Sequence, residues 1–334
     1  MMQENSIYHA FTKPWRLSVA PMLDVTDRHC RYFHRLLAPQ ALLYTEMVTT
    51  GALVYGDVER HLRFNQEEHP VALQLGGSEP DALVHCAKLG EQYGYDEINL
   101  NCGCPSERVQ KGAFGACLMA EAQLVADCVK AMQDAVSIPV TVKHRLGLDY
   151  EASYSFVQDF VATLYQVGCR VFIAHARNAV LKGLSPKDNR EIPPLRYEWV
   201  SQLKQDFPDA LFILNGGINQ FEQAMALLQQ HDGIMIGRAA WHEPYLLRQL
   251  SQAIWPDIPV ADDTQVCRLM SDYAEKAMSE GAPLRAVIKP MLGLMNGKKG
   301  AKQFRRLLSD VKRLNAGDIR LIEEAFAFFV DKND

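Results

Sequence analysis

Cys104 lies in a segment, Asn-Cys-Gly-Cys-Pro at residues 101–105, whose residue types could support proton transfer. A zinc site is not indicated, because the two cysteines have no second ligand pair nearby at the usual spacing, and the redox pattern C-x-x-C is absent. A thiol without an activating base is mostly protonated at neutral pH, so it donates a proton before it attacks as a nucleophile. The sequence favours Cys104 as an acid, whereas Cys102 is interpreted as a small packing residue.

Two basic side chains also end apolar segments. Lys143 ends the segment VTVK, and His175 ends the segment VFIAH. A charge at the end of a buried strand is costly unless it is paired with an anion. Together the two groups could bind the polar edge of an oxidised heterocycle and stabilise the anion formed on its reduction. The alternative is a lysine that extends to solvent and a structural histidine.

Glycines follow two further apolar segments, in NGGI at 215–218 and in IGR at 236–238. Glycine lets the backbone approach a ligand closely, and its N–H groups together with Arg238 could bind a phosphate. The loops after strands seven and eight of a barrel commonly hold a phosphate. The alternative is that these are tight-turn glycines and that Arg238 is solvated.

Eight short apolar runs carry these residues at their ends. They begin at residues 17, 41, 71, 97, 140, 171, 211 and 233, about 31 residues apart on average, which is the length of one βα unit. This spacing predicts a (β/α)8 TIM barrel, with a doubly wound open sheet as the main alternative. In a barrel the polar strand ends meet at one rim, and the longest rim loops are expected at about 102–121 and 176–196.

Composition and cysteine content indicate a globular protein of a reducing compartment. The 334 residues are 48% hydrophobic and 22% charged, which excludes collagenous and disordered classes. Eight cysteines are too dilute for a disulfide scaffold. No apolar run approaches the ~18 residues of a membrane helix, and the N-terminal residues lack the pattern of a secretory signal. The cytoplasm is the expected compartment.

The strand pattern stops near residue 241 and a helical pattern follows, so we expect a barrel domain at 1–250, a linker at 251–263 and a helical domain at 264–334. The net charge is −5, yet residues 281–313 contain nine Lys or Arg and one acid. A single helix over 301–314 would place its basic residues on one side and its apolar residues in the core. This basic face consists of Lys302, Arg305, Arg306, Ser309, Lys312 and Arg313, and the predicted core side of Phe304, Leu307, Leu308, Val311 and Leu314. A nucleic acid backbone is the favoured partner and a solvated face the alternative.

Six segments together resemble the tRNA-dihydrouridine synthase family in order and spacing. They are VAPMLDVTD (19–27), EINLNCGCP (97–105), TVKHRLG (141–147), IAHAR (173–177), LNGGI (214–218) and IGRAA (236–240). The loop GLSPKDNREIPPLRY (183–197) is similar to that of the A subfamily, whose members modify positions 20 and 20a in the D-loop of tRNA. The resemblance extends over nearly the whole chain.

The resemblance implies FMN as the bound cofactor, NADPH as the reductant and tRNA as the substrate. The residues implied to bind the cofactor are Pro21, Met22, Leu23, Gln74, Lys143, His175, Asn215, Gly216, Gly217, Gly237 and Arg238. Cys104 is implied to be the general acid and Asn101 to contact the target uridine. The residues implied to contact tRNA are Lys187, Arg190, Gln303 and Arg306.

The implied reaction is the reduction of the C5–C6 double bond of uridine to 5,6-dihydrouridine, with a hydride from reduced FMN to C6 and a proton from Cys104 to C5. A monomer without metal or membrane partner is expected. Two alternatives are an FMN barrel that reduces a small pyrimidine or enone, and a non-catalytic RNA-binding barrel. A third, weaker alternative is an aldolase-type barrel with Lys143 as a Schiff-base nucleophile.

Overall fold

The strands of this computed structural model, which describes residues 14–150 and 153–330, form one parallel sheet that closes into a barrel. The N-terminal segment examined for a signal pattern lies almost entirely outside the described residues. The strands are β1 Leu17–Val19, β2 Leu42–Tyr44, β3 Val48–Thr49, β4 Val71–Gly76, β5 Glu97–Cys102, β6 Val140–His144, β7 Val171–His175, β8 Leu211–Asn215 and β9 Gly233–Ile236.

The pairing of β2 with β4 closes the sheet, because the strand order otherwise runs from β2 through β1 and β9 to β4 and β3. The predicted TIM barrel is therefore confirmed, and the open doubly wound sheet is excluded because the β2–β4 pairing joins the two ends of that order. The two-residue strand β3, which the sequence did not predict, pairs with the end of β4 at Leu75 and Gly76.

Side chains along each strand point alternately into the barrel interior and into the layer between the strands and the helices. On β7, Val171 and Ile173 belong to the interior cluster, whereas Phe172 and Ala174 pack in the outer core. Because both faces are covered, the strands read as nearly continuous apolar runs. The same alternation turns Lys143 and His175 inward, since they lie two residues beyond inward-facing positions of their strands.

Helices surround the barrel on its outer side. The helices of this layer are Arg28–Leu37, Thr50–Val54, Val58–Leu62, Pro80–Tyr93, Glu107–Lys111, Ala122–Ala135, Tyr154–Gln166, Tyr197–Asp206, Phe221–Gln230, Arg238–His242 and Pro244–Ile254. Short 3₁₀ turns occur at Gln66–Glu68, Gly115–Ala120 and Asp188–Arg190. None of the helices within the described ranges is both long and apolar enough to cross a membrane.

After an irregular segment at 255–262, the C-terminal region is helical, as predicted. Its helices are Asp263–Ser279, Leu284–Ile288, Ala301–Leu308, Val311–Asn315 and Arg320–Val330, with a 3₁₀ turn at Lys289–Gly293. The first begins at a capping box in which Asp262 accepts from the Gln265 N–H at 2.8 Å and Gln265 accepts from the Asp262 N–H at 3.0 Å.

The C-terminal region packs against the first helix of the barrel and against the loop that follows β1. The rings of Tyr32 and Tyr273 stack with centroids 3.8 Å apart, and the Tyr273 hydroxyl lies 2.7 Å from His29 Nδ1. Lys289 Nζ donates to the carbonyl of Asp24 at 2.7 Å. Because Asp24 lies in the loop at the carboxyl end of β1, the helical region adjoins the rim of the barrel.

The expectation of one helix over 301–314 is wrong. The helix that starts at Ala301 ends at Leu308, and a new helix starts at Val311 because Asp310 accepts from the N–H groups of Lys312 and Arg313 at 3.0 and 3.1 Å. The break shifts the phase of the second helix. Val311, predicted to be core, is therefore 60% exposed. Arg313 leaves the basic face and pairs with Asp318 at 3.0 Å and with Glu324 at 2.5 Å.

We predict that Asp310→Ala lowers the free energy of unfolding by about 1 kcal/mol, because two N–H groups at the start of the helix lose their acceptor. Asp310→Asn should cost much less, since asparagine caps helices about as well. Urea denaturation of both variants checks the prediction, and equal stability of Asp310→Ala and the parent protein would show that the cap does not hold the break.

Candidate active site

Five polar side chains named from the sequence meet at the mouth of the barrel, the end formed by the carboxyl ends of the strands. Parallel register brings Asn101 of β5 opposite Lys143 of β6, and His175 of β7 opposite Asn215 of β8. Gln74 of β4 joins them because its Oε1 accepts from Asn101 Nδ2 at 2.8 Å. Lys143 Nζ donates to Asn215 Oδ1 at 3.1 Å, which links the two sides of the mouth.

Cys104 follows β5 directly, and its backbone is fixed at the mouth. The N–H groups of Gly103 and Cys104 both donate to Asn101 Oδ1, at 3.1 and 3.0 Å. The loop then folds back, so that the Ala116 N–H donates to the Cys104 carbonyl at 2.9 Å. Cys104 Sγ is half-buried and lies 3.6 Å from Ser106 Oγ. The thiol is therefore held at the rim while it remains accessible.

Lys143 carries its amine into a desolvated position. The residue is 9% exposed, and the acceptor of its hydrogen bond is an amide oxygen rather than a carboxylate. Burial, and after it the charge of Arg145, lower the pKa of Lys143 to about 7. An amine in this setting gains from any anion that enters the mouth.

Arg145 adds a second buried cation beside the mouth. Its Nε donates to the Gly103 carbonyl at 3.1 Å, and its guanidinium donates to the carbonyls of Asn178 and Asn189 at 3.1 and 2.9 Å. Burial lowers its pKa to about 9. Burial, Arg145 and Lys143 also hold the pKa of His175 well below its ordinary value, so the imidazole is neutral at pH 7. The mouth is therefore electropositive. The Arg145 side chain also joins the Cys104 loop to the loop at 176–196.

Gly216 and Gly217 form the backbone that the sequence indicated for a phosphate. Their φ angles are +118° and +68°, which disfavour any side chain. A Cβ on Gly216 would lie 2.7 Å from His175 Cδ2, and a Cβ on Gly217 would lie 2.6 Å from Leu195 Cδ1. The Tyr197 hydroxyl donates to the Gly216 carbonyl at 2.6 Å and so orients the turn.

The loops after β9 and β1 complete this side of the mouth. Arg238 is half-exposed and pairs with Glu191 at 2.6 Å, so a phosphate bound there would compete with this carboxylate. A Cβ on Gly237 would make ordinary contacts with Ala20 and with the Met22 sulfur, at 3.6 and 3.9 Å. Pro21 and Met22 are partly buried, and Leu23 is 66% exposed.

The four residues proposed for tRNA contact lie in two groups, one on a rim loop and one on a C-terminal helix. Lys187 and Arg190 are exposed on the loop at 176–196, and Gln303 and Arg306 are exposed on the helix Ala301–Leu308. That helix connects to the rim, because Arg305 donates to Asn296, and Asn296 donates to the carbonyl of His242. His242 ends the short helix that begins at Arg238.

Sequence reasoning missed four buried polar residues that support the mouth: Glu97, Asn99, Thr141 and Arg145. Three of them had a visible signal, since Glu97 and Asn99 alternate with apolar residues in EINLN, and Thr141 does so in VTVK. Alternation of this kind places polar groups on one face of a strand. Their meeting depends on the register between strands, which sequence spacing alone does not supply.

Comparisons with known proteins show which family this chain is similar to. The family model described as dihydrouridine synthase matches residues 18–329. The tRNA-dihydrouridine(20/20a) synthase of Escherichia coli K12 is 56% identical over 319 residues, covering 95% of this chain and 92% of the relative. The protein of the same name from Pseudomonas syringae pv. tomato is 54% identical over 314 residues, covering 94% of each chain.

Solved structures share the fold at low identity. An old yellow enzyme homologue from Zymomonas mobilis has a TM-score of 0.52 at 13% identity and covers 74% of this chain and 90% of its own. A 2-naphthoyl-CoA reductase in complex with 2-naphthoyl-CoA has a TM-score of 0.55 at 13% identity, covering 71% of this chain and 50% of its own. At this identity they support the barrel fold alone.

We predict that Lys143→Met raises the free energy of unfolding of the ligand-free protein at pH 7 by about 1–2 kcal/mol. The folded pKa of about 7 lies below the unfolded value of roughly 10.4, so the unfolded state binds more protons between these pH values. The free energy of unfolding of the parent should therefore rise with pH between these values. The difference in that free energy between Lys143→Met and the parent should shrink toward pH 10.

Urea denaturation at pH 7 and pH 9.5 measures this difference, with the exposed Lys130→Met as the matched control that changes little at either pH. An advantage for Lys143→Met that is absent at pH 7, or the same at both pH values, would contradict the account of the buried amine.

Proposed function

The chain belongs to the dihydrouridine synthase family, and on that premise we propose that it reduces uridine to 5,6-dihydrouridine at positions 20 and 20a in the D-loop of tRNA. FMN is the bound cofactor in this proposal, NADPH is the reductant, and the cytoplasm is the compartment. The main structural support for this proposal is that Cys104, Asn101 and the buried amine of Lys143 lie together at one mouth of the barrel. Residues 1–250 are assigned the chemistry, and 264–334 the binding of tRNA.

The residues at the mouth fit FMN in charge and in shape. The buried amine of Lys143 favours the electron-rich edge of a flavin ring, and the cation Arg238 favours its phosphate side. Only a bare backbone fits at Gly216 and Gly217, which leaves N–H groups available to a phosphate. The groups proposed to hold FMN are Pro21, Met22, Leu23, Gln74, Lys143, His175, Asn215, Gly216, Gly217, Gly237 and Arg238.

Cys104 is proposed to hold the proton that completes the reaction. Bound FMN, when reduced, supplies the hydride that C6 of uracil accepts. Charge then develops at C5, which is conjugated with the C4 carbonyl, and the Cys104 thiol delivers its proton to that carbon. The half-buried thiol suits this task because its backbone is fixed by Asn101 and by the loop that folds back at Ala116.

Asn101 is proposed to contact the uracil ring as a hydrogen-bond donor. Its Oδ1 already accepts two backbone N–H groups, and one hydrogen of Nδ2 goes to Gln74. The second hydrogen of Nδ2 is the group left for a uracil carbonyl. The contact would orient C5 relative to Cys104, because both residues belong to the same turn.

The exposed basic residues are proposed to grip the tRNA backbone around this mouth. A target base must leave its stack, which costs a few kcal/mol, least in a loop. Phosphate contacts from Lys187, Arg190 and Arg306, with Gln303 beside them, would offset that cost and position the RNA without reading much sequence. Within the described residues no carboxylate pairs with Arg306 or its neighbour Lys302, so both charges are available.

We predict that Cys104→Ala leaves FMN binding and flavin reduction by NADPH within about twofold of the parent. Dihydrouridine formation in tRNA should fall at least about 100-fold, because a positioned acid contributes this much to a proton transfer. Mass spectrometry of digested tRNA measures the product. Cys117→Ala, which removes a half-buried thiol from the same loop, is the matched control and should retain activity. Unchanged activity of Cys104→Ala would remove this thiol from the mechanism.

We predict that Arg306→Ala weakens tRNA binding and reduces the slope of log K against log salt by about 1, because one phosphate contact is lost. The flavin spectrum should not change. The control is Arg320→Ala, whose charge is already paired with Asp318 at 2.8 Å. Filter binding at several salt concentrations measures both slopes, and an equal slope for Arg306→Ala and the parent would assign the basic face to solvent.

A further inference from the structure

A row of polar side chains crosses the barrel interior, from its base to its mouth. Glu97, Asn99 and Asn101 alternate along β5 and face inward, while Ile98, Leu100 and Cys102 pack in the outer core. In the register of the sheet, Gln74 of β4 and Thr141 of β6 lie on either side of Asn99. Glu97, Asn99 and Thr141 are at most 1% exposed. Barrel interiors are usually filled by branched apolar residues, so this row requires a reason.

Hydrogen bonds join the row into one continuous chain. Starting from the mouth, Asn101 Nδ2 donates to Gln74 Oε1 at 2.8 Å, and Gln74 Nε2 donates to Asn99 Oδ1 at 2.8 Å. Asn99 Nδ2 donates to Thr141 Oγ1 at 2.7 Å, and the Thr141 hydroxyl donates to Glu97 Oε1 at 2.6 Å. Each member therefore accepts from the mouth side and donates toward the base.

The two ends of the chain fix this direction. At the mouth, the backbone N–H groups of Gly103 and Cys104 can only donate, so they require the oxygen of Asn101. At the base, burial raises the pKa of Glu97 to about 7, while the hydrogen bonds from Thr141, Tyr44 and Trp15 favour the ionised carboxylate. In that form Glu97 can only accept, so it requires the hydrogen of Thr141. Between these ends every amide has one orientation that satisfies its neighbours, and a reversed amide would leave buried polar groups unpaired.

We propose that Glu97, at the base of the barrel, is a positioning residue that holds the Gln74 and Asn101 amides at the mouth in the one orientation that the backbone N–H groups of Gly103 and Cys104 also require. The inference rests on the proposed function, in which those two amides face the flavin and the uracil. With the direction of the chain held at both ends, one Nε2 hydrogen of Gln74 and one Nδ2 hydrogen of Asn101 remain as donors. Glu97 itself touches neither ligand.

The surroundings of Glu97 require an acceptor with two oxygens. Trp15 Nε1 donates to Oε2 at 2.6 Å, and the Tyr44 hydroxyl donates to Oε1 at 2.7 Å beside Thr141. In Glu97→Gln, the new NH₂ group cannot face the indole, which only donates, so it must face the two hydroxyls. The Thr141 hydroxyl oxygen then faces two donors, Asn99 Nδ2 and the new NH₂ group. The Thr141 hydroxyl hydrogen has lost the carboxylate oxygen that accepted it.

Four single variants distinguish a change in the direction of the hydrogen-bond chain from a general loss of folding stability. Glu97→Gln removes the terminal acceptor at nearly constant volume, and Thr141→Val cuts the chain at its first link while Glu97 stays. Tyr44→Phe is the matched control, because it removes a hydrogen bond to the same Glu97 oxygen but leaves the chain intact. Thr141→Ser keeps the hydroxyl and is the conservative rescue.

The experiment measures the dissociation constant of FMN, the visible spectrum of the bound flavin, the thermal midpoint and the kcat for dihydrouridine formation. Glu97→Gln and Thr141→Val should raise the FMN dissociation constant at least about 10-fold and shift the flavin absorption maximum, since the loss of one oriented hydrogen bond has this size. Tyr44→Phe and Thr141→Ser should stay within about twofold in binding, with an unshifted spectrum. If Glu97→Gln does not fold, the FMN affinity and flavin spectrum of Thr141→Val alone test the inference.

Equal flavin affinity and equal spectra in Thr141→Val and Tyr44→Phe would overturn the inference, and so would a Thr141→Ser variant no better than Thr141→Val. The parent protein tests the proposed function separately. A parent that binds FMN and modifies tRNA, together with folded variants that share its flavin spectrum, rejects the role of Glu97 alone. A parent that forms no dihydrouridine rejects the proposed function itself.

Discussion

The burial of a lysine amine at the mouth of the barrel, with an amide rather than a carboxylate as its acceptor, is the constraint on which the site depends. Removing a charge from water costs several kcal/mol unless a partner compensates, and here burial lowers the pKa of Lys143 to about 7. Such a group does not help the barrel fold. Positions that oppose stability in this way are expected where a protein prepares a binding site. Arg145 shares the constraint but also serves the fold, because its donors hold carbonyls of the two longest rim loops.

In the proposed function, the two structural regions divide the work of recognising a large substrate. The barrel brings an acid, two amides and cations together at one mouth, and the C-terminal helices carry exposed positive charge. The connection between them is direct, through the contact of Lys289 with Asp24 and through Asn296, which lies between Arg305 and His242. In the proposed function, these contacts hold the exposed basic residues of the C-terminal helices next to the rim to which the tRNA binds.

Much of the fold and of the site could be predicted from local patterns, whereas features that depend on geometry across the chain could not. The apolar runs are buried on both faces, so their spacing identified the eight barrel strands, and the residues at their ends identified Lys143, His175 and the glycines. The break before Val311 was missed because a helical period was extended through Asp310, whose side chain competes for the backbone N–H groups. The chain from Glu97 to Asn101 was missed because its links join different strands, and only the register places them within hydrogen-bond distance.

The most direct test of the account is a single turnover of the reduced holoprotein in the absence of oxygen. Flavin absorbance is followed after mixing with a tRNA transcript that lacks dihydrouridine, or with free uridine at the same uridine concentration, and the RNA is then sequenced for the modified position. The account predicts rapid reoxidation of the flavin by tRNA, one dihydrouridine per flavin at position 20 or 20a, and little reaction with uridine. Reoxidation that is equal with both substrates, or absent with tRNA, would contradict it.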